Sequence, residues 1–157
     1  MTQRTSSIPE VTDRLEDRFT EALATFGRTG DPVAVQQGDH WKYAPQEGVT
    51  IGEATGQNEW ATFGPTRDEQ YTIAVRVVVS DNGDLTFKDA KQRAFDILGV
   101  LEQVVRDDST IGFDGTDYDL LEVQVGTITA GSPADSGPTE ASWQYVISQK
   151  FDVHAIF

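Results

Sequence analysis

The sequence predicts an α+β fold, with one mainly antiparallel sheet and two helices packed largely on one of its faces. Two stretches, 8–26 and 87–105, carry apolar residues at helical spacing. Two others, 71–80 and 143–157, alternate apolar and polar residues, which is typical of strands with one buried face. Because the helices are separate and the last two strands follow each other, we expect an antiparallel closing hairpin. A chain of 157 residues suits one domain with a real core, so we expect a single domain over 1–157.

The first helix is predicted from its start signal. Ser7 and Glu10 have the spacing of a capping box, and apolar residues then recur at helical steps, so we expect a helix from Ile8 to Phe26. The run VAVQQG that follows predicts a short strand. Glycines and aromatic residues fill the next segment, where we expect a long ordered loop at about 38–58 with short strands at its ends.

The second half of the chain has clearer patterns. The alternation in YTIAVRVVVS predicts a strand, and turn residues end it. Thr86 and Asp89 form a second capping box, and the steps of 3 and 4 from Phe87 to Val105 predict the longest helix. DDSTIGFDGTD then reads as a loop, YDLLEVQVGTIT as a strand and AGSPADSGPTE as a loop before the closing strand.

Composition excludes several functional classes. The chain has 26 acidic against 12 basic residues and a net charge of −14, which opposes binding to phosphate backbones and anionic lipids. We therefore expect no specific nucleic-acid binding and no membrane association. There is no cysteine, hence no disulfide or thiolate metal site, and no apolar run is long enough to span a bilayer. The first residues lack the apolar core of a signal peptide, so we expect a soluble protein that is not secreted by that route.

Motifs for familiar enzyme chemistry are absent from the sequence. There is no P-loop, dinucleotide fingerprint, H-E-x-x-H or G-x-S-x-G, so we expect no enzyme activity and no cofactor. His40 and His154 are the only histidines, and we interpret both as surface residues. Trp41, Tyr43, Trp60 and Phe63 either line a ligand groove or pack a loop against the sheet.

An acidic segment is the one candidate for a cation site. Loop carboxylates bind calcium, but the spacing here does not match the D-x-[DN]-x-[DN]-G loop, so a solvated loop remains the alternative. The candidate site residues are Asp114, Asp117 and Asp119, with Asp107 and Asp108 preceding them.

The closing strand is unusually long. Fifteen extended residues at ~3.3 Å each would span roughly 50 Å, whereas a compact domain of this length is about 40 Å across. We expect Trp143, Tyr145 and Ile147 to pair with the strand of Leu121, Val123 and Val125, and Gln149 to mark a bend or bulge. Beyond Gln149 the apolar residues resume at alternate positions. Either the segment from Lys150 to Phe157 lies at an oligomer or tail-tube interface, or it is part of an ordinary central or bent strand of the subunit's own sheet. The candidate interface residues are Phe151, Val153, Ala155 and Phe157.

Three stretches together resemble tail terminator proteins, also called tail completion proteins, of long-tailed phages, notably actinobacteriophages. They are NEWATFGPTRDEQYTIAVRVVV, KQRAFDILGVLEQVVRDDSTIGF and SWQYVISQKFDVHAIF, and the resemblance covers nearly all of the chain from Pro9 onward. The family shows E-W-x-x-x-G, then R-D-E before a strand, then R-A-x-x-x-L and V-E-x-x-V-R in the long helix. The matching positions are Glu59, Trp60, Gly64, Arg67, Asp68, Glu69, Arg93, Ala94, Leu98 and Arg106. Leu101 stands in place of the valine beside the glutamate.

The resemblance implies an α+β subunit that assembles into a hexameric ring on the last ring of the tail tube. Its partners would be copies of itself, the major tail protein and the head-tail connector or stopper, with DNA passing through the lumen. The protein would act in the virion and assemble in the host cytoplasm. The alternatives are a head-tail stopper or other neck protein, a small-molecule binding module, and a metal-dependent enzyme.

Overall fold

Among the residues described, six strands form one sheet, and two helices cover one of its faces. The computed structural model describes residues 6–27, 30–38, 41, 45–59, 66–81, 86–130, 134–135 and 143–157. The elements are α1 (Ile8–Ala22), β1 (Ala34–Gln37), β2 (Glu47–Glu59), β3 (Asp68–Asp81), α2 (Phe87–Asp107), β4 (Leu120–Ala130), β5 (Ala134–Asp135) and β6 (Trp143–Ile156). The strand order is β1-β2-β3-β6-β4, with β5 beside β6, and only β1 and β2 run parallel. The predicted α+β class is confirmed.

The core lies between the helices and alternate residues of the central strands. On β3 the side chains from Tyr71 to Val79 alternate between buried and more exposed, so one face of the strand is apolar. Phe19 of α1 packs on Phe151 of β6 with ring centroids 5.8 Å apart. The buried helix residues are Val11, Leu15 and Phe19 on α1 and Ala90, Ala94, Ile97, Leu98, Leu101 and Val105 on α2. These spacings are the helical steps on which the prediction rested.

The predicted N-terminal cap is confirmed at α2, whereas the one predicted at α1 is wrong. At α2 the Thr86 hydroxyl accepts a hydrogen bond from the Asp89 amide at 3.2 Å, as the sequence predicts. At α1 the Ser7 side chain makes no cap hydrogen bond to its own helix, so the predicted capping box is not formed. The helix also ends at Ala22, four residues before the predicted Phe26. The chain turns there, and the Leu23 carbonyl accepts a hydrogen bond from the Val33 amide.

The predicted loop at about 38–58 is wrong over most of its length. Residues Glu47–Glu59 form β2, which is antiparallel to β3 over its whole length and parallel to β1 at its start. This segment is rich in glycine and threonine and has few apolar residues, so its alternation of apolar and polar residues is weak. The pairing with β3, a strongly patterned strand, is what holds this segment extended.

Two β-bulges lie in one line across the sheet. On β2, Gly52 and Glu53 oppose the single residue Ala74, and on β4 two residues oppose Lys150. Ala74 and Lys150 are themselves paired, so the bulges share a transverse row, which we call the crease. A Cβ atom on Gly52 would lie 3.0 Å from the Ala74 carbonyl oxygen, which explains the glycine. Because bulges bend strands and increase their twist, the long strands change direction at the crease.

Gln149 stabilises the bulge on β4. Its Nε2 donates to the carbonyl oxygens of Gly126 at 2.8 Å and Thr127 at 3.3 Å, and the side chain is fully buried. The sequence predicted an irregularity at this residue. The structure has one beside it, but the extra residue belongs to β4, and Gln149 satisfies carbonyls that the bulge removes from the ladder.

Candidate functional site

The closing strand is central, so it offers no unpaired edge for the interface expected along Lys150 to Phe157. Strand β6 pairs with β3 from Trp143 to Ile156 on one side and with β4 and β5 on the other. Phe151, Val153 and Ala155 are buried in the core of the subunit itself. Main-chain groups that are already paired on both sides cannot accept another strand. The alternative of an ordinary bent central strand agrees with this pairing.

The predicted register of the closing hairpin is also wrong. Val123 pairs with Val153 and Val125 with Phe151, so β4 aligns its apolar residues with the second half of β6 instead of the first. The fourth candidate, Phe157, is half-buried and packs edge-on against the Tyr118 ring at 5.7 Å. None of the four candidate residues forms an exposed apolar patch with the others.

The acidic segment 107–119 forms turns that its own carboxylates hold. Asp114 accepts hydrogen bonds from the amide and hydroxyl of Thr116, and these bonds lower the pKa of its carboxyl. Asp119 uses its amide to bond the Ile156 carbonyl. No group of three carboxylate or histidine ligands suited to a metal occurs in the part of the chain that the structure describes. Asp114, Asp117 and Asp119 are therefore not brought together as a cation site.

Two other groups of candidates are only partly described. Trp41 lies beside β2, since a Cβ atom on Gly48 would come 3.0 Å from its ring. Tyr43, Trp60 and Phe63 lie outside the described residues, as does His40. His154 is half-buried and its Nε2 lies 2.9 Å from Asp68 Oδ1, so it has a carboxylate partner within the subunit.

The face of the sheet opposite the helices, here called the open face, forms a polar groove. Two cross-strand rows supply its walls, one through Thr72 and Asp152 and the next through Gln70 and His154. Glu122 and Gln124 of β4 continue these rows, and the groove has a volume of about 470 Å³. The lining side chains include carboxylates, amides and hydroxyls, which suit polar contacts with a partner.

A buried polar cluster joins the start of α1 to β3. The Glu69 carboxylate accepts hydrogen bonds from the Ser7 amide at 2.8 Å and the Ser7 hydroxyl at 2.6 Å. The Ser7 hydroxyl also lies 2.9 Å from the Tyr71 hydroxyl, and all three residues are buried. A carboxylate at a helix N-terminus interacts favourably with the helix dipole and with unpaired amides. Glu69 thus accepts a hydrogen bond from the Ser7 amide, the donor that the predicted capping box assigned to Glu10.

A second buried tie joins α2, β2 and the segment after α1. Arg93 binds the Glu47 carboxylate through two nitrogens, at 2.9 and 3.1 Å, and donates to the Phe26 carbonyl oxygen. Its guanidinium also stacks on the Phe26 ring, 4.6 Å from the centroid. The Glu47 side chain is 6% exposed and that of Arg93 21%, so the pair is largely shielded from water. The sequence marked Arg93 only through the family motif.

We expect Tyr71 to stay protonated at alkaline pH while the protein is folded. Burial raises the pKa of its phenol, and the nearby Glu69 adds to the effect against the opposing Ser7 hydrogen bond. The unfolded chain releases this proton above about pH 10 but the folded chain keeps it, so stability is full below that pH and falls as pH rises. The Tyr71→Phe variant should escape a loss of about 1.4 kcal/mol at pH ~11, measured by urea unfolding against wild type. Equal alkaline losses in the two proteins would show that Tyr71 titrates normally.

The motif residues of the resemblance are mostly structural where they are described. Asp68, Glu69 and Arg93 make the contacts given above, and Ala94 and Leu98 are buried in the core. Arg106 makes an exposed ion pair with Glu102 at 3.3 Å. Trp60 and Gly64 lie outside the described residues.

Comparisons with known proteins leave the chain unplaced. No protein-family model matches it, and no curated protein matches its sequence. Among the helices that the structure describes, none is long and apolar enough to cross a bilayer.

Proposed function

We propose that the chain is a structural virion protein that caps the phage tail tube, stops its polymerisation and forms the interface to the head connector. The observation that carries the proposal is the sequence resemblance, together with the interior positions of its motif residues. Glu69 and Arg93 tie the helices to the sheet, and Ala94 and Leu98 fill the core. Residues at such positions serve the fold of the subunit, so the virion role itself rests on the sequence resemblance.

The open face supports a role in protein contact. On this face the groove of about 470 Å³ is lined mainly by polar side chains, while Trp41 and Pro45 lie over Gly48 of β2. Transient and assembly interfaces are about as polar as ordinary protein surface, so such a face suits contact with another subunit or with the tube. It is a better surface for this purpose than the closing strand, whose apolar residues are buried.

The charge of the chain predicts how assembly depends on salt. Six copies of a subunit with charge −14 carry −84 in total, so the subunits repel one another at low ionic strength. Dissolved salt screens this repulsion over about 10 Å at 0.1 M. Assembly should therefore strengthen as salt concentration rises, and DNA should pass an acidic lumen without sticking.

The test is polymerisation of the cognate major tail protein with and without saturating purified chain, imaged by negative stain at low and moderate ionic strength. We expect rings at tube ends, tubes of limited length, and more capped ends at the higher ionic strength. Tubes of unregulated length with bare ends would contradict the proposal. Binding to the isolated head connector without binding to tubes would assign the chain to the head-tail stopper class instead.

A further inference from the structure

A slot lies between α1 and the outer edge of β2, where β1 stops. β1 pairs with β2 from Gly48 to Ile51, and Gly38, directly after β1, has a φ of +82° that an extended strand does not adopt. Beyond Ile51 the outer edge of β2 has no backbone partner among the residues that the structure describes. The slot has a volume of about 630 Å³.

The backbone along this edge is oriented to receive a strand. The Ile51 carbonyl points away from β3, since it accepts the Gly38 amide at 2.9 Å. Backbone groups of an antiparallel strand alternate in direction, and the two bulge residues count as one position. The amide and carbonyl of Ala54 and Gly56 therefore also point outward, one residue spacing apart, as a ladder for an added strand requires.

The side chains around the slot indicate the chemistry of its occupant. Ile8 of α1 with Ile51 and Ala54 of β2 provide an apolar floor, and Thr12 lies in the helix wall. Exposed Glu53 stands at the rim, and none of the lining residues is basic.

The helix side of the slot is acidic as well. Asp13 and Glu16 of α1 both accept from the Gln37 side chain at 2.7 Å, beside the end of β1. An apolar floor with an acidic rim fits an extended segment that alternates small apolar residues and carries lysine or arginine at its ends.

We propose that this slot binds an extended, basic segment of a partner protein, which adds to the sheet as a strand beside Gly52 to Gly56. The added strand would lie in line with β1 and under the first half of α1. Its main chain would bond Ala54 and Gly56, its apolar side chains would cover the partly exposed Ile8 and Ala54, and its basic ends would face Glu53 and the α1 carboxylates. This binding uses the free subunit and does not depend on ring assembly.

The probe is a capped heptapeptide, Lys-Val-Thr-Val-Thr-Val-Lys, titrated into the full chain and followed by amide NMR shifts and hydrogen exchange. We expect saturable binding with a Kd below ~1 mM, shifts at Gly52–Gly56 and Thr12, and slower exchange of the Ala54 and Gly56 amides. The same peptide with glutamate in place of lysine should bind more weakly. Shifts confined to the β4 edge, or equal binding of both peptides, would overturn the proposal.

Two variants separate the main-chain and charge contributions. Ala54→Pro removes one outward amide at an edge position that tolerates proline, and should weaken binding at least tenfold. Glu53→Lys should weaken the lysine peptide about two- to fivefold, whereas Glu122→Lys, which changes net charge equally on the open face, should not. If Ala54→Pro does not fold, the Glu53 and Glu122 pair decides the question. Equal effects of those two substitutions would overturn the proposal, as would protection of Ala54 and Gly56 by self-association without peptide.

Discussion

Replacing Phe151 by alanine should lower the free energy of unfolding by about 3–5 kcal/mol. The side chain is fully buried, packs on Phe19, and stands beside the crease in a strand with neighbours on both edges. Removing a ring from such a site loses its burial and leaves a cavity that the paired strands cannot collapse into. Urea unfolding followed by circular dichroism measures the loss, and in a domain of this size the melting temperature should fall by roughly 10 °C.

Phe157→Ala is the matched control, because that ring is only half-buried and packs on Tyr118 at the margin of the core. Its cost should be clearly smaller. Truncation after Gln149 would remove the second half of β6, which pairs with β3 on one side and β4 on the other and contains buried Phe151, so the shortened chain should fail to fold. A stable truncated subunit that merely lost assembly would restore the interface interpretation of this segment.

Arg93→Ala should destabilise the fold by about 3–5 kcal/mol, because it removes a guanidinium that binds the buried Glu47 carboxylate through two nitrogens. It also removes the donor to the Phe26 carbonyl and the cation over the Phe26 ring. The exposed pair of Arg106 and Glu102 provides the control on the same helix. Arg106→Ala should cost only about 0.3–0.5 kcal/mol, as isolated surface pairs do.

A double replacement, Arg93→Met with Glu47→Leu, distinguishes two causes of the expected destabilisation, the buried charge of Glu47 and the contacts of Arg93 with Phe26. If the cost of Arg93→Ala comes from a stranded charge, removing both charges should recover most of it. If the double variant is as unstable as the single one, the contacts of Arg93 with Phe26 dominate. Thermal unfolding of wild type, Arg93→Ala, Arg106→Ala and the double variant gives the comparison.

The elements with strong periodicity were predictable, and β2 was not. In α2 the apolar steps run unbroken over five turns, so local pattern and packing agree. In β2 the apolar residues Val49 and Ile51 share one parity, but the bulge shifts the next inward residue to Ala54. A bulge changes the phase of alternation, and glycines weaken what remains, so period-two counting fails across it.

The sites were missed because they depend on distant partners. The spacing of Ser7 and Glu10 predicted a local cap, but the carboxylate that takes the role is Glu69, 62 residues away. The interface alternative for the closing strand stayed open for a similar reason. Alternation shows which face of a strand is apolar, but it does not show how many neighbours the strand has. Only the sheet order reveals that β6 lies between β3 and β4.

The crease has a mechanical consequence, because α1 and the residues that follow it are bound to the sheet on both sides of the crease. The crease divides the sheet into two halves, here called panels. Glu69, in one panel, binds Ser7 at the start of α1. Glu47, in the other panel, binds Arg93, which also donates to the carbonyl of Phe26, four residues after the end of α1. A helix of 15 residues is a rigid rod about 22 Å long, so these two contacts constrain how the two panels lie relative to each other. We expect a substitution at either contact to loosen this constraint. The curvature of the outer surface can therefore change through a substitution in the interior that alters no exposed residue.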